Sequence, residues 1–225
     1  MANSPLRQFK GRLSAAEIAS GMNAARRNAR RLLEDTKILF EAKSFASASM
    51  LAILSIEESG KIRYLRTIAA APESDLGKQW KNFRDHKSKN AHWNILELMA
   101  IKRVRTLAGL APAFDPNSDH QMQLEVLKQL SVYVDCYDNK QWIEPEKLIP
   151  EAMPRALIAV AERLVPNRDA SEREMQLWSE HLSKTWGTSA MRSSLRDFYR
   201  DMIAEGLTKE SLADIEKFIY GEEPR

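Results

Sequence analysis

An all-α fold, an antiparallel helical bundle carrying additional C-terminal helices, is what this sequence predicts, and three observations carry the prediction. Apolar residues recur at three- and four-residue steps through most of the chain, the spacing that gathers them on one side of a helix. Ser14 with Glu17 and Ser171 with Glu174 have the Ser-x-x-Glu spacing of capping boxes. The only run rich in β-branched and aromatic residues, SVYVD from Ser131, stands between helical patterns and has no partner strand in view.

The first helix is expected from Ser14 to about residue 43. Within it Ile18, Met22, Ala25, Ala29, Leu32, Leu33, Thr36, Leu39 and Phe40 share a side, with the arginines largely on the other. A second helix, about 45 to 70, follows almost without a connection, which favours an antiparallel neighbour, and Pro72 marks its end. A third helical region, about 76 to 109, holds Trp80, Phe83, Trp93, Ile95, Leu98 and Ile101. The polar stretch RDHKSKN breaks it with a kink or loop. Residues 110 to 119 contain Pro112 and Pro116 and read as a linker, after which helical spacing resumes from Gln121 to about residue 134. CYDNKQWIEPEKLIPEAMP is turn-rich. Four further helices are expected at about 155 to 164, 172 to 186, 191 to 205 and 209 to 220, with Gly206 just past a helix end. The domain division expected is 12–165 for the bundle and 166–225 for a C-terminal helical extension.

Across 225 residues, 44% hydrophobic and 29% charged content is enough apolar material for a sizeable core and excludes a disordered chain. The single Cys136 excludes an internal disulfide and any multi-cysteine metal site. No uncharged apolar run reaches membrane-spanning length and the start, MANSPLRQFKGRLS, lacks a secretory pattern, so a cytoplasmic protein without membrane contact is expected. The net charge is only +3, but Arg26, Arg27, Arg30 and Arg31 crowd two turns of the first helix. Such a cluster suits RNA phosphates, and it equally suits a solvated helix face.

Three segments offer chemistry. In MLAILSIEESGKIRYLRTI one stripe reads Leu51, Leu54, Glu58, Lys61, Leu65 and Ile68, which puts a carboxylate and an ammonium inside an expected core face, with Glu57 beside them. Buried charge must be paired, so this is either a functional pair or an internal ion pair that fixes helix register. In FRDHKSKNAHW a helical reading brings His86, Lys89, Asn90 and Trp93 to one side. A histidine that exchanges a proton near neutral pH, beside a lysine that stabilises a phosphorane-like charge, is suited to cleaving an RNA backbone, while the alternative is a polar turn. In KQLSVYVDCYD, Lys128, Ser131, Tyr133 and Asp135 lie near a helix end, to position a substrate or extend a charge network to Lys61. Tyr133 packing and Asp135 capping a turn is the alternative there. His86 and His92 do not share a helical face, so no metal site is predicted, and with no Gly-rich phosphate loop and no GxSxG elbow no cofactor is expected.

In order and kind, the N-terminal helix, LAILSIEESGK, FRDHKSKN, LKQLSVYVD and WIEPEKL resemble the AbiV family of abortive-infection, phage-resistance proteins, over about residues 13 to 164. The resemblance implies a HEPN-like bundle of four or five helices that forms a homodimer. It implies a role in antiviral defence by cleaving or binding RNA and blocking translation, with RNA or the translation machinery as partner and a phage protein as activator. A metal-independent endoribonuclease site would then be sought. Active HEPN nucleases carry R-x(4 to 6)-H on a late helix, and here residues 128 to 133 contain no histidine while Arg84 and His86 stand too close together. A site in this chain is therefore a rearranged one, combining Glu58, Lys61, His86, Lys89 and Tyr133, with Glu57, Asn90, Lys128 and Asp135 in support. The other function class is a non-catalytic helical binding protein that senses a phage or host protein.

Overall fold

The computed structural model describes residues 7–85, 106, 119–136 and 140–221, and among them are nine α-helices and one two-stranded ladder. The first helix, α1 (Ala15–Glu41), starts where its cap dictates. Ser14 Oγ accepts from the Glu17 amide at 3.2 Å, and the Glu17 carboxylate accepts from the Ser14 amide at 2.8 Å. That backbone hydrogen bond holds the Glu17 carboxyl below its ordinary pKa.

α1 ends in a turn that closes on itself, with the Lys43 amide donating to the Phe40 carbonyl and the Ser44 amide to the Leu39 carbonyl. Lys43 supplies the left-handed residue of this turn at φ 60°, a place that glycine fills with less strain. The short turn sends α2 (Phe45–Ala70) back along α1, as its length requires. Small residues line the contact: Ala29 and Ala52 are both wholly buried in one cluster, and Ser55 Oγ donates to the Ala29 carbonyl at 2.7 Å, satisfying a buried hydroxyl across the helix pair.

α3 (Leu76–Arg84) follows a single 3₁₀ turn after Pro72. α4 (Asp119–Leu130) is followed by β1 (Asp135–Cys136) and β2 (Trp142–Ile143), then α5 (Pro145–Leu148) and α6 (Ala152–Leu164). α7 (Glu172–Leu182), α8 (Met191–Ala204) and α9 (Leu212–Tyr220) are the last helices among the described residues. The described residues pack into two core clusters. One end of the α1–α2 pair packs Ala29, Leu33, Ile53 and Ile56 against Leu124 of α4 and Leu157 and Ala161 of α6. The other end packs Ile18, Met22, Leu65 and Ile68 against Trp80 of α3, Met175 and Trp178 of α7, Phe198 of α8 and Ile215 of α9. Residues 166–221 thus share a core with the first three helices instead of building their own. Trp178 anchors them, its ring edge-on to Phe198 at 5.2 Å and its Nε1 donating to the Arg66 carbonyl at 2.9 Å.

The structure corrects several expectations. SVYVD forms no strand over Ser131 to Val134, as expected, but its last residue does find a partner: Asp135 pairs with Ile143, and Cys136 beyond it with Trp142, in an antiparallel ladder two residues long. α4 accordingly stops at Leu130 rather than near residue 134. The helix expected to reach 186 ends at Leu182. α6 begins three residues early, at Ala152, because Pro154 in its first turn gives up an amide that has no helical partner there. Ser171 caps α7 through the Glu174 amide at 3.1 Å, but the Glu174 side chain turns to Arg66 and Arg168, so only half of that expected box forms. Gly206, at φ 68°, closes α8 as expected. No helix among the described residues is long and apolar enough to cross a membrane. α3 ends at Arg84, where the expected break begins; the rest of that break, Trp93, Ile95, Leu98, Ile101 and the 110 to 119 linker lie outside the described residues, except for the start of α4.

Candidate functional site

The polar residues of α2 divide by helical angle. Residues 57 and 58 stand about 100° apart on a helix of 3.6 residues per turn, so only one of two adjacent carboxylates can point into the core. It is Glu57 that does so. Its residue is 2% exposed, whereas the side chains of Glu58 and Lys61 keep 16% and 25%. The stripe through Leu51, Leu54, Glu58 and Lys61 is half-buried, and the face through Ala52, Ile53, Ile56 and Ser59 is the core face. Leu65 and Ile68 of the expected stripe are buried, but its part from Leu51 to Lys61 is not the core face, because Ala, Ser and Gly carry little hydropathy, yet small residues are what a close helix pair buries.

Glu57 meets Lys128 of α4 at 3.1 Å, and Lys128 also meets Glu125, one turn earlier on its own helix, at 2.6 Å. Burial by itself would depress the Lys128 pKa. The hydrogen bond to Glu125 and the charge of Glu57 outweigh it and hold the ammonium above its ordinary 10.5. This buried ionic link clamps α4 onto α2.

Glu58 and Lys61 form an ion pair one turn apart on α2, and the Lys61 ammonium lies 5.7 Å from the centroid of the Phe83 ring on α3. The pair therefore sits where α2 faces the last turn of α3. Farther along α2, burial pushes the Arg63 guanidinium below its usual value, with Tyr64 opposing.

Of the other candidates, Tyr133 is 61% exposed beyond the end of α4, and Asp135, also exposed, accepts from the Cys136 amide at 2.7 Å. Ser131 instead turns inward and donates to the Leu127 carbonyl at 2.7 Å. Lys61 pairs with Glu58 rather than reaching α4's end, so the expected network from Asp135 to Lys61 is replaced by the Glu57–Lys128 link. His86, Lys89 and Asn90 lie outside the described residues; the last described residue before them is Asp85, which caps α3.

The four arginines of α1 separate. Arg26 pairs with Asp169 at 2.6 Å and Arg31 with Asp35 at 2.8 Å, while Arg27 and Arg30 are exposed. Arg26 belongs to a second polar centre that the sequence did not reveal. There, Asn23 clasps the Ala170 backbone through both its amide atoms, and Glu174 takes Arg66 and Arg168. These partners are up to 147 residues apart in sequence, and the segment NRDASERE carries their charges without any periodicity, so no local signal announces them. Among the described residues no group of histidine, cysteine, aspartate and glutamate is placed to hold a metal ion.

A family model, HEPN_AbiV, described as AbiV, matches residues 17–166, which is more than half of the chain and runs from α1 through α6. No curated protein and no solved structure matches.

Proposed function

The chain belongs to the AbiV family of HEPN proteins, a family tied to abortive infection, and from that premise we propose that it is an antiphage effector that acts on RNA in the cytoplasm and halts translation in the infected cell. The observation that carries this reading is the Glu58–Lys61 pair. It is an acid and a cation held in fixed geometry, partly open to solvent, beside the last turn of the helix that leads in sequence to His86 and Lys89. A carboxylate or imidazole to take the 2′-hydroxyl proton and ammonium groups to stabilise the charged phosphorus centre are the components of metal-free RNA cleavage. Two copies of the chain acting as a homodimer would bring a second set of these groups to the same substrate.

The test is to incubate purified wild-type and His86→Ala protein with total bacterial RNA, with and without extract from phage-infected cells, and follow RNA integrity, using circular dichroism to establish that both are folded. Cleavage by the wild type alone supports the reading. RNA left whole by the wild type under both conditions, with translation in a cell-free system unaffected, overturns it.

A second reading has its own observation. Val132, Tyr133 and Val134 lead into β1, and Trp142 of β2 is 70% exposed, so an apolar surface gathers at the ladder. Exposed aromatic clusters of this kind suit a protein partner. Under this reading the chain is a non-catalytic module that binds a phage or host protein, and His86→Ala leaves its effect intact.

A further inference from the structure

A cavity of about 110 Å³ opens between α1, α2 and the connection from α6 to α7. Arg26, Arg66 and Arg168 line it, together with Asn23, Asp169 and Glu174. Three guanidiniums face two carboxylates, so the centre carries an excess of one positive charge. The two carboxylates differ. Glu174 is 1% exposed and holds Arg66 and Arg168 side by side, and it is part of the fold. Asp169 is 57% exposed and holds Arg26 alone. If Asp169 turns to solvent, the cavity retains three cations against Glu174, a net charge of two, and Arg26 is left facing it.

We propose that this cavity is a phosphoryl-binding site, and that its ligand is a phosphomonoester dianion which replaces the Asp169 carboxylate on Arg26 and bridges to Arg168 and Arg66. A dianion matches the net charge of two that remains once Asp169 has left, and a monoanionic carboxylate does not. Each guanidinium has five N–H donors, of which Glu174 and Asp169 use only part, so the planar forks retain donors for phosphate oxygens. The cavity admits a phosphoryl group and little more, so the rest of the ligand lies outside it. Its walls come from both sides of residue 166, where the family match ends, so the C-terminal helices would complete a site that the bundle alone lacks. The proposal stands apart from the Glu58–Lys61 reading, since phosphate binding is read without any RNA being cut.

The experiment is calorimetric and thermal-shift titration of the full chain with inorganic phosphate and with adenosine monophosphate, against adenosine and matched chloride. The wild type is expected to bind the two phosphates and neither control. Arg168→Gln is expected to weaken binding about tenfold. Asp169→Asn, which removes the competing carboxylate, is expected to tighten it several-fold, a gain that misfolding does not imitate. A 5′-phosphorylated RNA oligonucleotide and its 5′-hydroxyl twin then separate an RNA end from a free phosphorylated metabolite, and a preference for either phosphorylated form supports the site. Absence of binding in both the wild type and Asp169→Asn, or equal affinity in all three proteins, overturns it.

Discussion

Lys128 of α4 and Glu57 of α2, 71 residues apart in sequence, form a buried ion pair at 3.1 Å whose members are almost wholly removed from water. Neither Glu57 nor Lys128, which Glu125 also holds, is stable there without its ion-pair partners, because several kcal/mol of hydration per ion must be replaced by these pairs and their hydrogen bonds. Lys128→Met removes the ammonium and leaves the Glu57 carboxylate buried without it. The expected loss is about 3 to 5 kcal/mol in urea unfolding. Glu57→Leu with Lys128→Met and Glu125→Gln is expected to recover most of it, since an apolar pair of similar volume needs no hydration and Glu125, which also holds Lys128, no longer carries a charge. If the single change costs less than about 1 kcal/mol, the clamp is not what holds α4.

Much of this fold was legible. Capping at Ser14, the α1–α2 hairpin and the run of C-terminal helices follow from local spacing and turn chemistry, which the chain states residue by residue. Lys128 and Glu57 were singled out as charged residues in helical patterns, but their pairing depends on how α2 rotates. That rotation is set by Ala29, Ala52 and Ser55 at the helix contact, residues that hydropathy barely registers. The Arg26, Arg66, Arg168 and Glu174 centre was not legible at all, because its members meet only after α7 docks.

Lys43 holds a left-handed backbone that a side chain strains. Lys43→Gly relieves that strain while adding freedom to the unfolded chain, and the net expectation is a gain of up to about 1 kcal/mol. Differential scanning calorimetry should show a raised Tm, and a lowered Tm would mean that the lysine side chain contributes more than its backbone costs.

The pH dependence follows from groups at both ends of the scale. Burial works against ionisation of Asp201, yet hydrogen bonds from His181 and Arg200 outweigh it, so its carboxyl titrates below 3.8. Glu205, held by Arg173, titrates below 4.5. Folded-state values below the unfolded ones mean that this stability is fully present above about pH 5 and is lost as pH falls through the folded values. Lys37, raised above 10.5 chiefly by its hydrogen bond to Glu162, contributes stability below that value that is lost as pH rises through the folded pKa. Urea midpoints measured across pH should therefore form a plateau with two falling limbs. Asp201→Asn should flatten the acid limb, and an unchanged limb would remove Asp201 from the account.

Glu58 and Lys61 give a cleaner test of function than Glu57, because their side chains keep 16% and 25% exposure against 2% for Glu57, so replacing either one leaves its partner within reach of water. Glu58→Gln and Lys61→Met should unfold near the wild-type urea midpoint. In the RNA-directed reading each lowers RNA cleavage and translation arrest by about tenfold or more, the scale on which a lost proton-transfer or charge-stabilising group is felt. The double change Val134→Ser with Trp142→Ser removes apolar surface far out of the core, so it too should stay folded. It should leave RNA cleavage by purified protein unchanged. If translation arrest instead survives both α2 changes and disappears with the surface pair, the chain works by holding a protein partner and the α2 pair is only a register device.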